Sequence, residues 1–429
     1  MNKRIFLRYV AQNIAGMIGL SCYILVDTLF VSAALGASGL AALNLSITVF
    51  SLVAGVGQLF GVGGGTDFSL RRAGGRDTER SLPTALLFTA AAALVFVLAG
   101  IFFAGPLSRL LGADEATFAL TKTYVRMTLL FSPVYLLNSL LRGFVSNDGA
   151  PDLAMLSMLV SSGLNILLDY LFMFPLGMGM FGAVLATGLS ACLSAPVLLF
   201  HFSTRRCTLR LSRRLLPVRE ALRLLSYGLS ALVGELASAV SLLTFNLLLM
   251  QLSGYIVVAA YGVIANTALV ATSIFTGVGQ GIQPLASRVC GAVDRAGMRS
   301  LLACTGATVA ALSLAIFSLV FLFARPLAGA FNHEGDAQLV AVAVSGLRIY
   351  FAGYLFAGVN IAAAALLSAV GRPRRALLIS LLRSCVLLVP AALLLSRLLA
   401  VSGVWLSFVA TEAACCALSL VSVRAVQKT

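Results

Sequence analysis

The sequence predicts an all-α integral membrane protein, built as twelve transmembrane helices in two pseudo-symmetric six-helix bundles. Of its 429 residues, 60% are hydrophobic and 10% charged, with a mean hydropathy of +1.01. No soluble core hides that much apolar surface. Apolar runs of about 20 residues, enough to cross about 30 Å of hydrocarbon, recur along the whole chain. The second half also repeats short motifs of the first at a nearly constant shift.

The first span, 10–34, follows Lys3, Arg4 and Arg8 and contains Asp27. A signal peptide competes for this segment, since Ser32-Ala33-Ala34-Leu35-Gly36-Ala37 resembles a cleavage site. Against it, Gln12, Asn13 and Asp27 interrupt the run, and cleavage would leave an odd number of spans. The second span, 44–69, ends in Gly61-Val62-Gly63-Gly64-Gly65-Thr66. This stretch lacks the lysine and flanking strand of a phosphate-cradling loop, so it reads as close helix packing. Asp67 beside Arg71 reads as a local pair. The third span, 82–104, is almost wholly apolar, and the fourth, 123–147, carries Pro133. The fifth, 152–174, holds Asn165 and Asp169, and the sixth, 180–202, holds Thr187. After a basic loop, 203–221, come 222–251 with Glu235, 257–287 with Pro284, 301–323, 341–369 with Asn360, 375–395 with Pro390 and 401–424 with Glu412. Prolines within spans are expected to bend their helices. Arg126, Arg142, Arg348 and Arg383 fall toward span ends, where snorkelling is expected.

A net charge of +15 invites a nucleic-acid reading, which the placement of the charges excludes. Twenty-two basic residues sit at the termini and in alternate loops, among them Arg71, Arg76, Arg213, Arg295, Arg374 and Lys428; only Arg109, Lys122, Arg325 and Arg397 sit in the other set. By the positive-inside rule both termini and the long basic loop are cytoplasmic. The eight cysteines show neither the CxxC nor the His spacing of a metal site and read as packing residues. With only His201 and His333, and no nucleophile–base–acid arrangement, an enzyme is not expected.

Gly55-Val56-Gly57-Gln58 recurs as Gly277-Val278-Gly279-Gln280, 222 positions on. Phe103-Ala104-Gly105-Pro106-Leu107 recurs as Phe323-Ala324-Arg325-Pro326-Leu327, and Gly149-Ala150-Pro151 as Gly371-Arg372-Pro373. Three matches in register argue for duplication. Six spans per half is an even number, so the halves are parallel repeats related by an axis along the membrane normal. The expected lobes are 1–212 and 213–429.

An ionised carboxylate at mid-bilayer costs about 2.5–3.5 kcal/mol on insertion scales, which makes Asp27 and Asp169 candidates for function. Asn165 and Asp169, at i and i+4, project from one helix face. Together with Asp27 and the Thr187 hydroxyl they offer the oxygen ligands that hard cations prefer, or a carboxylate pair able to carry a proton. The same shift of 222 lands on Leu387 and Ala391, so the second half holds no copy of this set. Glu235 faces either a cavity between the lobes, holding a cationic substrate, or a local ion-pair partner.

Several stretches, in this order and spread over the whole chain, resemble the multidrug and toxic compound extrusion (MATE) family: Val26-Asp27-Thr28-Leu29-Phe30-Val31, Asn165-Ile166-Leu167-Leu168-Asp169, Gly182-Ala183-Val184-Leu185-Ala186-Thr187, Ala259-Ala260-Tyr261-Gly262 and Gly279-Gln280-Gly281-Ile282-Gln283-Pro284. The resemblance implies a V-shaped pair of six-helix lobes that exports organic cations in exchange for Na⁺ or H⁺. In the branch similar to the DNA-damage-inducible members, it implies a first-lobe coupling site at Asp27, Asn165, Asp169 and Thr187. Two departures stand out. Gln12 and Ser230 occupy places where many relatives carry proline, and the tenth span around Asn360 lacks the acid of a second-lobe site.

The sequence is therefore expected to encode a multi-pass antiporter of the plasma membrane, working as a monomer among membrane lipids. It should need no cofactor beyond its coupling ion, with Glu235, Gln280, Gln283 and Asn360 as candidate substrate contacts. A lipid-linked oligosaccharide flippase of the same superfamily is the alternative. It would want a cationic cavity for pyrophosphate, which Asp27, Asp169 and Glu235 oppose.

Overall fold

The computed structural model describes residues 3–253, 255–330 and 337–427, so His333 and Lys428 lie outside the described residues. Helix α1 (Lys3–Ala73) is followed by α2 (Ser81–Phe102), α3 (Ala104–Leu110), α4 (Glu115–Leu130), α5 (Ser132–Asn147), α6 (Pro151–Met173) and α7 (Gly179–Leu199). The second half holds α8 (Val218–Ser253), α9 (Tyr255–Gly291), α10 (Arg295–Leu322), α11 (Ala324–Ala330), α12 (Ala337–Tyr350), α13 (Tyr354–Ala369), α14 (Pro373–Leu381) and α15 (Leu388–Gln427). Among the described residues there is no strand.

Helix α1 is a pair of spans, and α15 carries the end of one span and the whole of the next. Helix α1 breaks at Gly36, whose φ of 64° suits a residue without Cβ, and α15 breaks at Ala400, at φ 50°. Ten stretches are long and apolar enough to cross a membrane, eleven when α4 and α5 count as one span bent by 49°. The last of them, Pro373–Val426, runs 54 residues, more than twice the roughly 20 a crossing needs, and turns back at Ala400. With that reversal the described chain makes the twelve passes expected. The α4–α5 bend lies where Pro133, in the first turn of α5, has no N–H to continue the preceding helix. By contrast α9 runs through Pro284 as one helix, and Pro390 follows a π-helical turn at Leu382–Val386.

The repeated motifs fold alike. Seven-residue helices α3 and α11 each follow a phenylalanine, Phe103 and Phe323. Gly149 and Gly371 both take left-handed φ, 103° and 76°, two residues before the prolines that open α6 and α14. The largest apolar core draws on residues from Phe245 to Val426, joined by Phe6, Tyr9 and Val10; four smaller cores lie between Val31 and Leu224.

The halves touch most closely near the end that carries the basic loops. There the Gly-rich end of α1 lies against α8: a Cβ at Gly63 would stand 2.5 Å from the Leu224 carbonyl oxygen, and one at Gly228 would stand 2.0 Å from that of Leu59. On the other side α9 lies against the start of α1, with Gly277 against Ile14 and Gly281 against Val10. The shift of 222 turns the first crossing into the second, the reciprocity that a two-fold axis along the membrane normal requires. Around the outside, large apolar side chains stay exposed, including Leu94 at 60%, Phe102 at 67% and Leu398 at 69%. Such a surface is stable against lipid tails and not against water.

Candidate cation site

Small residues bring α1 alongside α6. A Cβ at Gly16 would stand 2.9 Å from Met158 Sδ, and one at Gly19 would stand 2.8 Å from Leu159 and near Ser162. The two segments run parallel, so the offset that matches Gly16 with Met158 also matches Asp27 with Asp169, at one depth. Both carboxylates are buried, and Asp169 feels the charge of Asp27. Asn165, one turn before Asp169, donates from Nδ2 to Thr187 Oγ1 at 3.2 Å, while the Thr187 hydroxyl donates to the Ala183 carbonyl at 3.1 Å. The four predicted coupling residues thus form one cluster.

Its hydrogen-bond balance is lopsided. Asp27 Oδ1, Asn165 Oδ1 and both carboxylate oxygens of Asp169 are buried without a donor. A buried unpaired acceptor costs about 1–3 kcal/mol, more when charged. Four together, with no guanidinium or ammonium paired to them among the described residues, fit a small cation or a shared proton. Tyr23, Tyr124 and Tyr135 lie within reach of these charges.

The predicted substrate contacts fare differently. Glu235 in α8 has no ion pair among the described residues; it accepts a hydrogen bond from Gln58 Nε2 of α1 at 2.5 Å, across the halves. Gln280 is half-buried and Gln283 buried, on the α9 segment whose glycines meet the start of α1. Asn360 is fully buried and committed on both sides. Its Nδ2 donates to Glu412 Oε2 at 2.7 Å, and its Oδ1 accepts from Ser419 at 2.7 Å. In this conformation Asn360 presents nothing to a ligand.

Arg383 departs from expectation. It does not snorkel but grips Glu412 Oε1 through Nε at 3.1 Å and Nη2 at 2.6 Å, an ion pair buried in the second half. The π-helical turn that carries it is invisible to periodicity. Arg126 and Arg348 are exposed as expected, Arg348 over the Phe321 ring at 5.0 Å. Asp67 pairs with Arg71 at 2.7 Å as predicted, and Arg71 also reaches Glu220 at 2.7 Å.

Asp148 escaped sequence reading. Fully buried, it accepts from Arg72 at 2.7 Å, from the Thr208 backbone N–H at 2.8 Å and from the Thr208 hydroxyl, and it meets His201 Nε2 at 2.8 Å. The ligand atoms of Asp148, His201 and Cys207 lie within 4.8 Å of one another, a spacing a metal ion could bridge. Both Asp148 oxygens are already held by donors, however, and burial pushes the Cys207 thiol up, away from the thiolate a metal wants. The cluster straps the connecting loop to the first half.

The MatE family model matches residues 14–171 and again 231–394, one match in each half and most of the chain in sum. The chain belongs to the MatE family. Among curated MatE relatives, the multidrug export protein MepA of Staphylococcus aureus is 26% identical over 381 residues, covering 88% of this chain and 83% of its own length. MepA of Staphylococcus saprophyticus aligns equally well. Among solved structures, an outward-facing MATE transporter of the MOP superfamily superposes with a TM-score of 0.92 at 22% identity, over all of this chain and 97% of that one. A MOP superfamily transporter from Pyrococcus furiosus, described as having a binding pocket of reversed polarity, gives the same score and identity over 99% of this chain and 96% of its own. These likenesses establish the all-α MatE membrane fold.

Proposed function

We propose that this MatE protein is a multidrug exporter of the plasma membrane that expels organic cations in exchange for Na⁺ or H⁺. The carrying observation is the set of four donor-less buried oxygens on Asp27, Asn165 and Asp169, closed by Thr187. The relatives named as multidrug export proteins support the substrate class. The acids at Asp27, Asp169 and Glu235 disfavour the flippase alternative.

In this reading the chain works as a monomer with lobes 1–212 and 213–429 and both termini in the cytoplasm. The coupling cation neutralises the carboxylates and the substrate cation seeks the same field, so each weakens the other's binding, by reciprocal amounts. Binding of the ion from outside then releases the drug, and the lobes rock about their shared axis.

Proteoliposomes with imposed Na⁺ or H⁺ gradients test this. Asp27→Asn and Asp169→Asn keep side-chain size and remove charge, so both variants should insert normally and lose gradient-driven efflux by at least about tenfold, or about 1.4 kcal/mol. Wild-type efflux by both at normal expression would remove the site. Whichever gradient drives the unmodified protein identifies the ion.

A further inference from the structure

The last turn of α9, the start of α10, the turn before α14 and the end of α15 enclose a cavity of about 200 Å³ in the second half. It lies among the basic loops and shares no residue with the cation site. Arg295, Arg299 and Arg372 supply its charge, and the buried Met298, Val370 and Val426 supply an apolar wall. The one acid that lines it, Asp294, is already engaged: its Oδ1 accepts the Gly297 backbone N–H at 2.8 Å and caps α10. Pockets for drug-sized molecules start at about 300 Å³, so this one suits a smaller group.

The placement of its charge is unusual. Arg295 and Arg299 lie one turn apart at the start of α10, Arg372 immediately precedes α14, and neither helix has an acid in its first turn. Cations there oppose the helix dipole, which favours an anion. The first half does the reverse. The residue that matches Arg374 under the shift of 222 is Asp152, an acid in the first turn of α6 that pairs with Arg8 at 3.2 Å. The turn after α9 also differs from its counterpart after α1. The N–H groups of Val293 and Asp294 donate to the carbonyls of Cys290 and Val289, both at 3.1 Å, as those of Gly75 and Arg76 donate to Arg72 and Arg71 at 3.3 and 2.8 Å. Gly75 takes its φ of 65° freely, whereas Val293 takes a φ of 55° with a β-branched side chain. That side chain is 75% exposed and lines the cavity, which sets an apolar group at the mouth where the backbone favours glycine.

We infer that this cavity binds the head of an anionic phospholipid from the leaflet that meets the basic loops. Guanidinium forks match phosphate oxygens in paired hydrogen bonds, and basic pockets at the ends of membrane helices suit such headgroups. The apolar wall and Val293 take the glycerol and the first methylenes, for which a free phosphate has no use. The bound lipid ties the ends of α9, α10, α14 and α15 together. The site is independent of the export reading.

Titration of dioctanoyl phosphatidylglycerol into the purified full-length protein in non-ionic detergent, followed by calorimetry, tests this. Saturable binding is expected, and phosphatidylcholine of the same chain length should give none. Arg295→Gln combined with Arg299→Gln should weaken binding about tenfold or more. Arg299→Gln alone, at an exposed position, should still cost about threefold, which keeps the test open if the double variant is unstable. Arg205→Gln with Arg206→Gln removes the same charge from exposed positions of the connecting loop and should leave affinity within about twofold. Val293→Gly takes the same φ without strain, so the thermal midpoint should hold while lipid affinity falls about threefold. Equal binding of the two lipids, unchanged affinity in the Arg299 or Val293 variant, or an equal loss in both double variants overturns the proposal. Displacement of the lipid by an equal concentration of glycerol phosphate also overturns it, since the site would then read free phosphate.

Discussion

At the residue scale, two buried acid sites, one in each half, handle charge in opposite ways. The first leaves Asp27 and Asp169 without donors, while the second answers Glu412 with Arg383, Asn360 and Ser419. In the proposed exporter a site that exchanges ions cannot be closed with its own cation, and one that never exchanges is costly unless it is. Breaking a buried pair from one side costs about 3–5 kcal/mol, because the remaining charge stays desolvated, whereas replacing both partners by apolar groups of similar volume is close to neutral. Glu412→Gln should therefore lower the thermal unfolding midpoint sharply, and the double variant Arg383→Met, Glu412→Leu should restore much of it. A Glu412→Gln variant as stable as the unmodified protein would show the pair to be inert. The clustering of Asp27, Asn165, Asp169 and Thr187 was legible because polar groups are conspicuous in apolar runs and i, i+4 spacing survives folding. Arg383 was misread because a position near a span end does not say whether the side chain turns outward to the interface or inward to a partner.

At the element scale, glycines set the contacts. The Gly61–Gly65 stretch was legible as packing, since neither lysine nor strand accompanied it, and Gly63 does press on the Leu224 carbonyl. What α1 packs against could not be read, because periodicity identifies a smooth face and not its partner. The crossing with α8 has no room for a methyl group: at Gly228 a Cβ would overlap the Leu59 carbonyl oxygen, a backbone atom that cannot step aside. Gly228→Ala should wedge the basic end open. A cysteine placed at buried Leu224 should then react faster with a membrane-impermeant maleimide added from that side, by about tenfold or more if the wedge shifts the balance by about 1.4 kcal/mol. An unchanged labelling rate would mean that the helices slide to absorb the methyl. The breaks at Gly36 and Ala400 let one span pass directly into the next without a separate loop. Gly36 was visible in the sequence, but Ala400 gives no such signal, since its backbone state is imposed by tertiary structure.

At the scale of the whole molecule, the repeated motifs foretold the symmetry, with paired short helices at 104–110 and 324–330 and paired left-handed glycines at 149 and 371. By the positive-inside rule, the asymmetry of basic residues is expected to orient the whole. Single cysteines replacing the exposed Arg76, Arg213 and Arg295 on a cysteine-less background should react only with reagent admitted to the cytoplasm. Labelling of position 213 from outside intact cells would invert the topology. The two reciprocal glycine crossings carry a further consequence. They flank the axis on opposite sides at the same end of the molecule, so neither can part while the other holds without twisting one half against its own core. Unlike a door on one hinge, which can stand ajar, this closure lets go on both sides at once. In the proposed exporter, ions would then find no half-open passage to slip through, and the seal against leakage would come from the geometry of duplication itself.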